Sequence, residues 1–209
     1  MNDKDRTEYI PALKYGWLTP FYDPFIRWTT REMVFKRRLI EQARIESGHR
    51  VLDLGCGTAT LTMRIKKAHP DAVVTGLDGD PRILEIARAK VSRTGLDITL
   101  DHGNGSFDRV LSSLLFHHLT RENKQRTLKE VFRVLRPGGE LHMADLGRPH
   151  NAFTYTLSLL MQRFEVTYDN IRGLLPGIIQ EAGFDRVEAT ARYTTIFGTI
   201  CLYRAWKPG

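Results

Sequence analysis

The sequence predicts an α/β fold of the Rossmann-like, doubly wound type, with a mostly parallel sheet and a C-terminal antiparallel hairpin. Three observations lead to this prediction. Short apolar runs alternate with segments of helical periodicity through most of the chain. A glycine-rich turn directly follows the first apolar run, and carboxylates follow the second. Two β-rich runs lie near the end of the chain with no helix between them.

Five strands and three helices are predicted between residues 30 and 144. The strands are 50–54, 72–77, 98–101, 109–113 and 140–144. The helices are 30–45, 82–92 and 120–135, and the first is expected to pack on the sheet edge. Thr30 is a candidate N-cap, Asp80-Pro81 begins the second helix and Gly95 ends it. The turn Pro137-Gly138-Gly139 precedes the fifth strand.

After the fifth strand the pattern changes. Residues 147–183 contain no clear strand, and the apolar run 152–161 is too short to cross a bilayer, which favours a helix over the site. The runs 186–195 and 199–206 flank Ile196-Phe197-Gly198 and predict a hairpin. We therefore expect one domain over 1–209, whose parts are a helical lid (1–45), a ligand-binding core (46–146), a helical cap (147–183) and the hairpin (184–209).

The stretch from Val51 to Thr60 carries the main functional signal. Gly55 and Gly57 remove side chains where backbone must approach a ligand, and Asp78 follows at a spacing suited to a ribose diol. Thr60 occupies the position of the third small residue of a dinucleotide fingerprint, which weakens an assignment to NAD. Asp53 lies beside the turn, where its charge disfavours a pyrophosphate and favours a cationic ligand. S-adenosylmethionine (SAM), which carries a sulfonium, an ammonium and no phosphate, fits this pattern.

Four motifs resemble, in order along the chain, those of class I SAM-dependent methyltransferases. They are VLDLGCGT at 51–58, VTGLD at 74–78, FDRVLSS at 107–113 with His117-His118-Leu119, and VLRPGG at 134–139. The resemblance covers roughly residues 20–209. The Phe21-Tyr22-Asp23 segment and the 198–207 end resemble the small methyltransferases grouped with the quinone-biosynthesis C-methyltransferases. The resemblance implies methyl transfer from SAM to a small-molecule acceptor, for which aromatic and lipid-like molecules are candidates.

Ligands of open α/β sheets bind beyond the carboxyl ends of the strands, so the candidate residues should surround one crevice. The predicted cofactor-binding residues are Asp53, Gly55, Cys56, Gly57, Thr58, Asp78, Gly79, Asp80, Ser112 and His117. The predicted catalytic residues are His118, Tyr22 and Asp145, and His117 is a further available general base. Structural roles are the alternatives: Asp53 as an acceptor for the turn backbone, and the two histidines as packing residues.

The acceptor pocket is expected beneath two segments that flank the sheet motifs. These are the aromatic segment from Trp17 to Trp28 and residues 147–175, whose side chains should set the choice of substrate. Core packing is the alternative role for the aromatic side chains. No metal site is predicted, because neither Cys56 nor Cys201 has a partner at ligand spacing.

Composition disfavours several other classes of protein. A chain of 209 residues with 42% hydrophobic content can bury one core, and no apolar run is long enough to span a membrane. The N-terminus lacks the apolar region of a secretory signal and two cysteines are too few for a disulfide framework, which favours a cytoplasmic location. The net charge of +7 fits a solvated basic surface, an anionic substrate, nucleic acid or a membrane surface. We expect no nucleic-acid partner, keep peripheral membrane contact open, and leave the oligomeric state undecided.

Two alternatives to a small-molecule methyltransferase stay open. A nucleic-acid methyltransferase is favoured if basic side chains form a stripe beside the crevice. A non-catalytic module of the same fold is suggested by the short connection between the third and fourth strands, because parallel strands need about a dozen residues to cross over. We therefore expect residues to be missing from this chain between His102 and Ser106, with one Cα–Cα distance there well above about 3.8 Å. A continuous chain would leave the adenine side of the pocket open.

Overall fold

The computed structural model describes residues 32–100, 106–161, 165–196 and 198–209. Within these ranges the strands are β1 (Arg50–Leu54), β2 (Val73–Leu77), β3 (Ile98–Leu100), β4 (Phe107–Ser113), β5 (Leu135–Gly147), β6 (Asp185–Thr195) and β7 (Gly198–Trp206). The helices are α1 (Glu32–Ala43), α2 (Thr60–Ala68), α3 (Pro81–Ser92), α4 (Arg121–Val134), α5 (Ala152–Met161), α6 (Glu165–Ile171) and α7 (Leu175–Glu181). A short 3₁₀ turn, Phe116–His118, follows β4.

The strands form one sheet in the order β3-β2-β1-β4-β5-β7-β6. β1 to β5 are parallel, whereas β7 runs antiparallel between β5 and β6. The predicted fold class, including the C-terminal hairpin, is confirmed. In this arrangement the carboxyl ends of β1, β2, β4 and β5 lie along one edge of the sheet.

The sheet is buried on both faces because consecutive residues of its central strands are apolar. Val51 of β1 packs in the cluster that holds Phe35 of α1 and Ile65 of α2. Leu52, the next residue, packs on the opposite face with Leu128 of α4. Successive side chains of a strand point to opposite faces, so an uninterrupted apolar run requires helices on both sides.

α1 lies over the centre of the sheet, where it packs against β4 and β5. The expectation that this helix packs on the sheet edge was therefore wrong. Phe35 and Leu39 are both fully buried in the same cluster as Leu111 of β4. The apolar face of α1 matches the apolar surface of the central strands, which offers more area to cover than the edge does.

The predicted helix starts are confirmed where a polar cap precedes them. Asp80 accepts a hydrogen bond from the Arg82 amide at 2.9 Å and Pro81 is the first residue of α3. Thr120 Oγ1 accepts from the Asn123 amide at 3.3 Å at the start of α4. These side chains satisfy amide groups that have no partner within the helix.

β5 is longer than the five residues predicted. Leu135 already pairs with Phe107 before the Pro137-Gly138-Gly139 segment, and regular pairing resumes where Glu140 lies opposite Arg109. The predicted turn is thus an irregularity within β5, and Gly138 takes a φ of 73° there. At the other end, antiparallel pairing with β7 continues to Gly147.

Several predictions fall on residues outside the described ranges. These are the N-cap Thr30, the candidate base Tyr22, the aromatic segment 17–28, Asp101, Phe197 and the connection 101–105. The sheet order does separate β3 from β4 by β2 and β1, as the argument about that connection requires. The absence of residues between His102 and Ser106 stays a prediction.

Candidate functional site

The strand order changes direction between β1 and β4, which is where a ligand crevice is expected in an open α/β sheet. The chain leaves β1 toward β2 on one side, while β4 pairs with β1 on the other, so the loops after these two strands diverge. Ser112 of β4 lies opposite Leu54 of β1, and its buried hydroxyl donates to the Leu54 carbonyl at 2.9 Å. Ser112 thus holds the two strand ends together at the base of the crevice.

The glycine turn after β1 uses backbone conformations that favour glycine. Gly55 and Gly57 have φ values of 71° and 53°, and Ala59 follows with 61°. The amides of Gly55 and Cys56 both donate to the carbonyl of Leu77, at 2.8 and 3.0 Å. The turn is therefore fixed to the end of β2 before α2 begins.

The two glycines of this turn have different surroundings. A Cβ atom built on Gly55 would lie 3.0 Å from side-chain atoms of Leu115, so this glycine is required for packing. A Cβ on Gly57 or on Gly79 would meet no heavy atom of the described residues within 4 Å. Gly57 and Gly79 therefore border open space, which leaves room for a ligand beside the backbone.

Asp78 connects the glycine turn to the loop after β2. Its Oδ2 accepts from the Gly57 amide at 2.9 Å and its Oδ1 accepts from the Asp80 amide at 3.0 Å. Each carboxylate oxygen can accept more than one hydrogen bond, and Asp78 is only partly buried. Asp78 can therefore support the turn and still accept from a ligand, whereas one oxygen of Asp80 is used as the cap of α3.

Asp53 has a buried carboxylate oxygen that receives no hydrogen bond from the described residues. The residue is fully buried, and Thr62 Oγ1 of α2 donates to its Oδ2 at 2.6 Å. Its Oδ1 has no hydrogen-bond partner among the described residues. Burial raises the pKa of Asp53 to about 6, although the Thr62 hydroxyl and the charge of Lys36 favour the ionised form. A cationic donor in the crevice would satisfy this oxygen.

Thr58 and Cys56 form parts of the wall around the turn. Lys90 of α3 donates to the hydroxyls of Thr58 and Thr60, at 3.3 and 3.1 Å. Cys56 is buried beside Gly76 of β2, where a Cβ would lie 3.2 Å from its sulfur. Burial raises the pKa of the Cys56 thiol, so it stays protonated and is a poor nucleophile.

His117 and Asp145 meet on the other side of the crevice. Asp145 is fully buried at the end of β5, and its Oδ1 lies 2.9 Å from His117 Nδ1. Its Oδ2 accepts from the Phe116 amide at 2.7 Å. Although burial opposes ionisation, the His117 ring and the amides of Leu146 and Phe116 hold the pKa of Asp145 below its usual range. Because an ionised carboxylate can only accept, Nδ1 of His117 donates in this contact, which leaves Nε2 as the ring nitrogen that can face an acceptor.

His118 has a different environment from His117. Its ring centroid lies 4.0 Å from that of His117, and the residue as a whole is exposed. The protein around its ring still disfavours the charged form and, together with the charge of His117, lowers the pKa of His118 to about 4. His118 is therefore neutral at pH 7, with no carboxylate among its hydrogen-bond partners in the described part of the chain.

Two residues of the site were missed by sequence reasoning. Thr62 contacts Asp53, and Asn170 of α6 donates through Nδ2 to Asp145 Oδ1 at 3.1 Å. Both are fully buried. Asn170 lies 25 residues from Asp145 and belongs to no motif, so only the packing of α6 against β5 and the 3₁₀ turn brings it there.

Two classes of feature were not found in the described ranges. None of the helices there is long and apolar enough to cross a membrane. The same residues contain no group of three or more His, Cys, Asp or Glu side chains arranged to hold a metal ion.

Comparison with known proteins identifies the family. Residues 51–139 match the model of a methyltransferase domain. An uncharacterized methyltransferase from Synechocystis sp. is 35% identical over 157 residues, which cover 72% of this chain and 73% of that protein. A demethylmenaquinone methyltransferase from Thermus thermophilus is 31% identical over 160 residues, which cover 71% of this chain and 72% of that protein.

Solved structures share the fold at lower sequence identity. The SAM-dependent methyltransferase SibL, in its apo form, has a TM-score of 0.69 at 22% identity, over 96% of this chain and 60% of that one. Magnesium protoporphyrin IX methyltransferase from Synechocystis, with bound S-adenosylhomocysteine (SAH), has a TM-score of 0.66 at 18% identity, over 85% of this chain and 82% of that one. Together with the order of the sequence motifs and the relatives above, this places the chain in the family of class I SAM-dependent methyltransferases.

Proposed function

We propose that this chain transfers the methyl group of SAM to a small-molecule acceptor that must lose a proton. Two observations support the proposal: a buried, unsatisfied carboxylate oxygen on Asp53 near the carboxyl end of β1, and an oriented imidazole on His117 just after the carboxyl end of the neighbouring strand β4. The first suits the cationic end of SAM, and the second suits removal of a proton from an acceptor.

The residues around the glycine turn fit the cofactor. The unpartnered Oδ1 of Asp53 would accept from the ammonium group, and the open space beside Gly57 and Gly79 would admit the ligand next to the backbone. The partly buried carboxylate of Asp78 would accept from the ribose hydroxyls. Cys56, Thr58, Asp80 and Ser112 would border the same pocket, with their polar atoms used mainly to hold its walls.

The chemistry requires little of the protein beyond position and proton removal. SAM would supply a methyl group bonded to a sulfonium sulfur. When the acceptor displaces this sulfur from the methyl carbon, the sulfur keeps the electron pair of the broken bond. The protein must hold both molecules in line in a pocket that excludes water. His117 Nε2 takes the proton that the acceptor releases and later returns it to solvent.

The other candidate bases have roles that follow from their surroundings. Asp145 accepts hydrogen bonds on both oxygens, which supports a role in orienting His117 rather than in direct proton removal. His118 is neutral at pH 7 and exposed, so it is the second candidate for a base. Tyr22 lies outside the described residues and stays a candidate from sequence.

The acceptor that we favour is an aromatic molecule with an ionisable hydroxyl. Several relatives at about 30% identity are named demethylmenaquinone methyltransferases, and a hydroxylated ring loses a proton readily when it is methylated on carbon or oxygen. α6, which belongs to the segment 147–175 predicted to cover the acceptor pocket, packs against the 3₁₀ turn that carries His117. This placement supports a cap that contributes to substrate choice.

A nucleic-acid acceptor finds less support. Arg37, Arg38 and Arg64 line a surface groove on α1 and α2 that includes no residue of the glycine turn. Arg37 and Arg38 also pair with Glu41. This basic surface is thus partly neutralised and does not border the crevice in a stripe.

Calorimetry and a transfer assay test the proposal. SAM and SAH should bind with micromolar or better affinity while NAD and NADP do not. SAM with a labelled methyl group should then give labelled product with a hydroquinone or phenol acceptor, in preference to amines, thiols and oligonucleotides. Binding of NAD without binding of SAM would overturn the assignment of the cofactor, and transfer only to an amine or an oligonucleotide would overturn that of the acceptor.

A further inference from the structure

Asn170 reaches the same carboxylate oxygen that orients His117. Its Nδ2 donates to Asp145 Oδ1 at 3.1 Å, while His117 Nδ1 contacts that oxygen at 2.9 Å. The Leu146 amide donates to it as well, at 2.7 Å. The position of this oxygen, and with it the direction of the imidazole, therefore depends on donors from the 3₁₀ turn, β5 and α6.

The environment of Asn170 indicates that this contact is the main use of its side chain. The residue is fully buried, yet its Oδ1 has no hydrogen-bond partner among the described residues. A buried acceptor without a donor destabilises the folded protein, and an apolar residue at this position would avoid that cost. The amide is therefore better explained by what Nδ2 does at Asp145 than by packing.

Charges from the neighbouring elements face this group of residues. On α4, Lys124 lies 3.5 Å and Arg121 lies 3.6 Å from the carboxylate of Asp169. Lys124 also interacts electrostatically with Asp145. Within the described residues, His118 on the 3₁₀ turn and the buried Cys201 and Tyr203 on β7 also interact with Asp145. Burial raises the pKa of both β7 groups, so they stay neutral at pH 7.

We infer that Asn170 is a positioning residue for methyl transfer, which acts by holding Asp145 so that His117 keeps its Nδ1-protonated form and directs Nε2 to the acceptor. This inference rests on the proposed role of His117 as the base. By sharing the charge of Asp145 Oδ1, Asn170 also limits how strongly that carboxylate stabilises protonated His117. It therefore keeps the imidazole available as a base at lower pH.

The test replaces Asn170 with leucine, which is of similar size and cannot donate. Without Nδ2, Asp145 should attract the proton of His117 more strongly, so the acid limb of the pH profile of kcat should move to higher pH by roughly half a unit to one unit. At saturating SAM and at a pH below the limb, this should reduce kcat by about three- to tenfold, with the Kd for SAM unchanged. N170S, which restores a donor hydroxyl, should move the limb back toward the wild type.

Ile171→Ala is the matched control on the same helix. Ile171 is buried and follows Asn170 in sequence, so its truncation should lower the stability of the fold without removing a donor from Asp145. If N170L acted only by weakening α6, I171A would move the acid limb in the same way, and such a result would overturn the inference. A limb that stays in place in N170L, despite a folded variant, would also overturn it.

A spectroscopic readout separates this inference from the proposed function. Nitrogen NMR of labelled histidine in the wild type and in N170L or N170S reports the tautomer and pKa of His117 without any acceptor present. A higher pKa of His117 in N170L, found even if no acceptor is ever methylated, would support the positioning role while the proposed function fails. An unchanged His117 signal alongside active methyl transfer would reject the positioning role and leave the proposed function standing. If N170L does not fold, the same comparison is made with Asn170→Ala, which also removes the donor to Asp145, and an unchanged signal in that variant rejects the inference.

Discussion

Asp53→Asn should separate the stability of the fold from its affinity for SAM. In the protein without ligand, Asp53 is fully buried and its pKa is about 6, whereas an unperturbed aspartate has a value of 3.8. A shift of about two units corresponds to roughly 3 kcal/mol. Ionising Asp53 in the folded protein is therefore costly, and the unpartnered Oδ1 explains why the protein itself does not offset the cost.

The sign of the effect on stability follows from the raised pKa. Protonated Asp53 favours the fold at low pH, and this contribution is lost as the pH rises from about 4 through 6. The free energy of unfolding of the wild type relative to D53N should therefore fall by about 2.5 kcal/mol between pH 4 and pH 8, since the aspartate of the unfolded chain is already partly ionised at pH 4. Constant terms, such as the burial of the new amide, cancel in this difference. Denaturant titrations of both proteins at the two pH values measure it.

The affinity of the wild type for SAM should instead rise as the pH rises. If the ammonium group of SAM binds only to ionised Asp53, the affinity of the wild type should be about tenfold lower at pH 5 than at pH 8, since about one tenth of the carboxyl is ionised at pH 5. D53N should bind about 10- to 150-fold more weakly than the wild type at pH 8, the value of a hydrogen bond to a charged group. Its affinity should hardly depend on pH over this range. Calorimetry with SAM, and with SAH as the ligand without a sulfonium, provides both constants.

Thr62→Val is the matched control for this experiment. Thr62 donates to Asp53 Oδ2 at 2.6 Å, and its loss should raise the pKa of Asp53 further while the carboxylate is kept. The midpoint of the pH dependence of SAM affinity should therefore move to higher pH. Equal pH dependence of binding in the wild type and D53N would show that Asp53 does not hold the cation, and the argument from its unpartnered oxygen would be refuted.

Four further substitutions test the glycine turn, its carboxylate and a helix cap. Asp78→Ala should weaken SAM binding at least about tenfold in calorimetry, since it removes charge-assisted hydrogen bonds to the ribose; an unchanged Kd would show that the diol is held elsewhere. Gly57→Ala and Gly55→Ala should each cost roughly 1 kcal/mol from the left-handed backbone. G55A should lose more stability than G57A because its Cβ meets Leu115 at 3.0 Å. G57A should chiefly lose SAM binding. Greater loss of stability in G57A and greater loss of SAM binding in G55A would contradict the assignment of the open space to Gly57. Thr120→Ala should lower the free energy of unfolding by about 1 kcal/mol in denaturant titration, with the Kd for SAM unchanged.

The local part of the fold could be predicted from the sequence because its signals are local. β1 spans Arg50–Leu54 as predicted, since a run of apolar residues there ends at a glycine turn. α3 begins at Pro81 after its Asp80 cap, again as predicted. Each of these bounds is determined by residues within a few positions of it in the chain.

The bounds of β5 could not be predicted because they depend on partners far away in the sequence. Gly147 extends the strand only because Thr199 of β7 lies opposite it. Gly147 also lacks a Cβ where the Cys201 sulfur would lie 2.3 Å away, a contact that no local pattern reveals. The predicted position of α1 was wrong for the same reason. The apolar face of this helix shows that it packs on the sheet, but not on which strands it packs.

The residues of the candidate site also differ in whether local sequence patterns or distant partners determine their positions. Gly55, Gly57 and Asp78 could be selected from spacing, since the turn and the next strand end are close in sequence. His117 and Asp145 could be selected only by residue type, because their contact depends on the register in which β4 and β5 pair. Ser113 lies opposite Ala144, so the residues just beyond these positions converge at the same edge of the sheet.

Different roles could be proposed for His117 and Asp145 only once their hydrogen bonds were seen in the structure. Both side chains can act as bases by type, and the sequence offers no reason to prefer one over the other as the group that removes the proton. In the structure Asp145 accepts from two backbone amides, an imidazole and the Asn170 amide, and it is fully buried. Protonating it would oppose all four donors at once, whereas protonating Nε2 of His117 disturbs none of them. Because proton removal favours the acceptor whose protonation costs least, these contacts support the proposal that the imidazole removes the proton and the carboxylate keeps it in place.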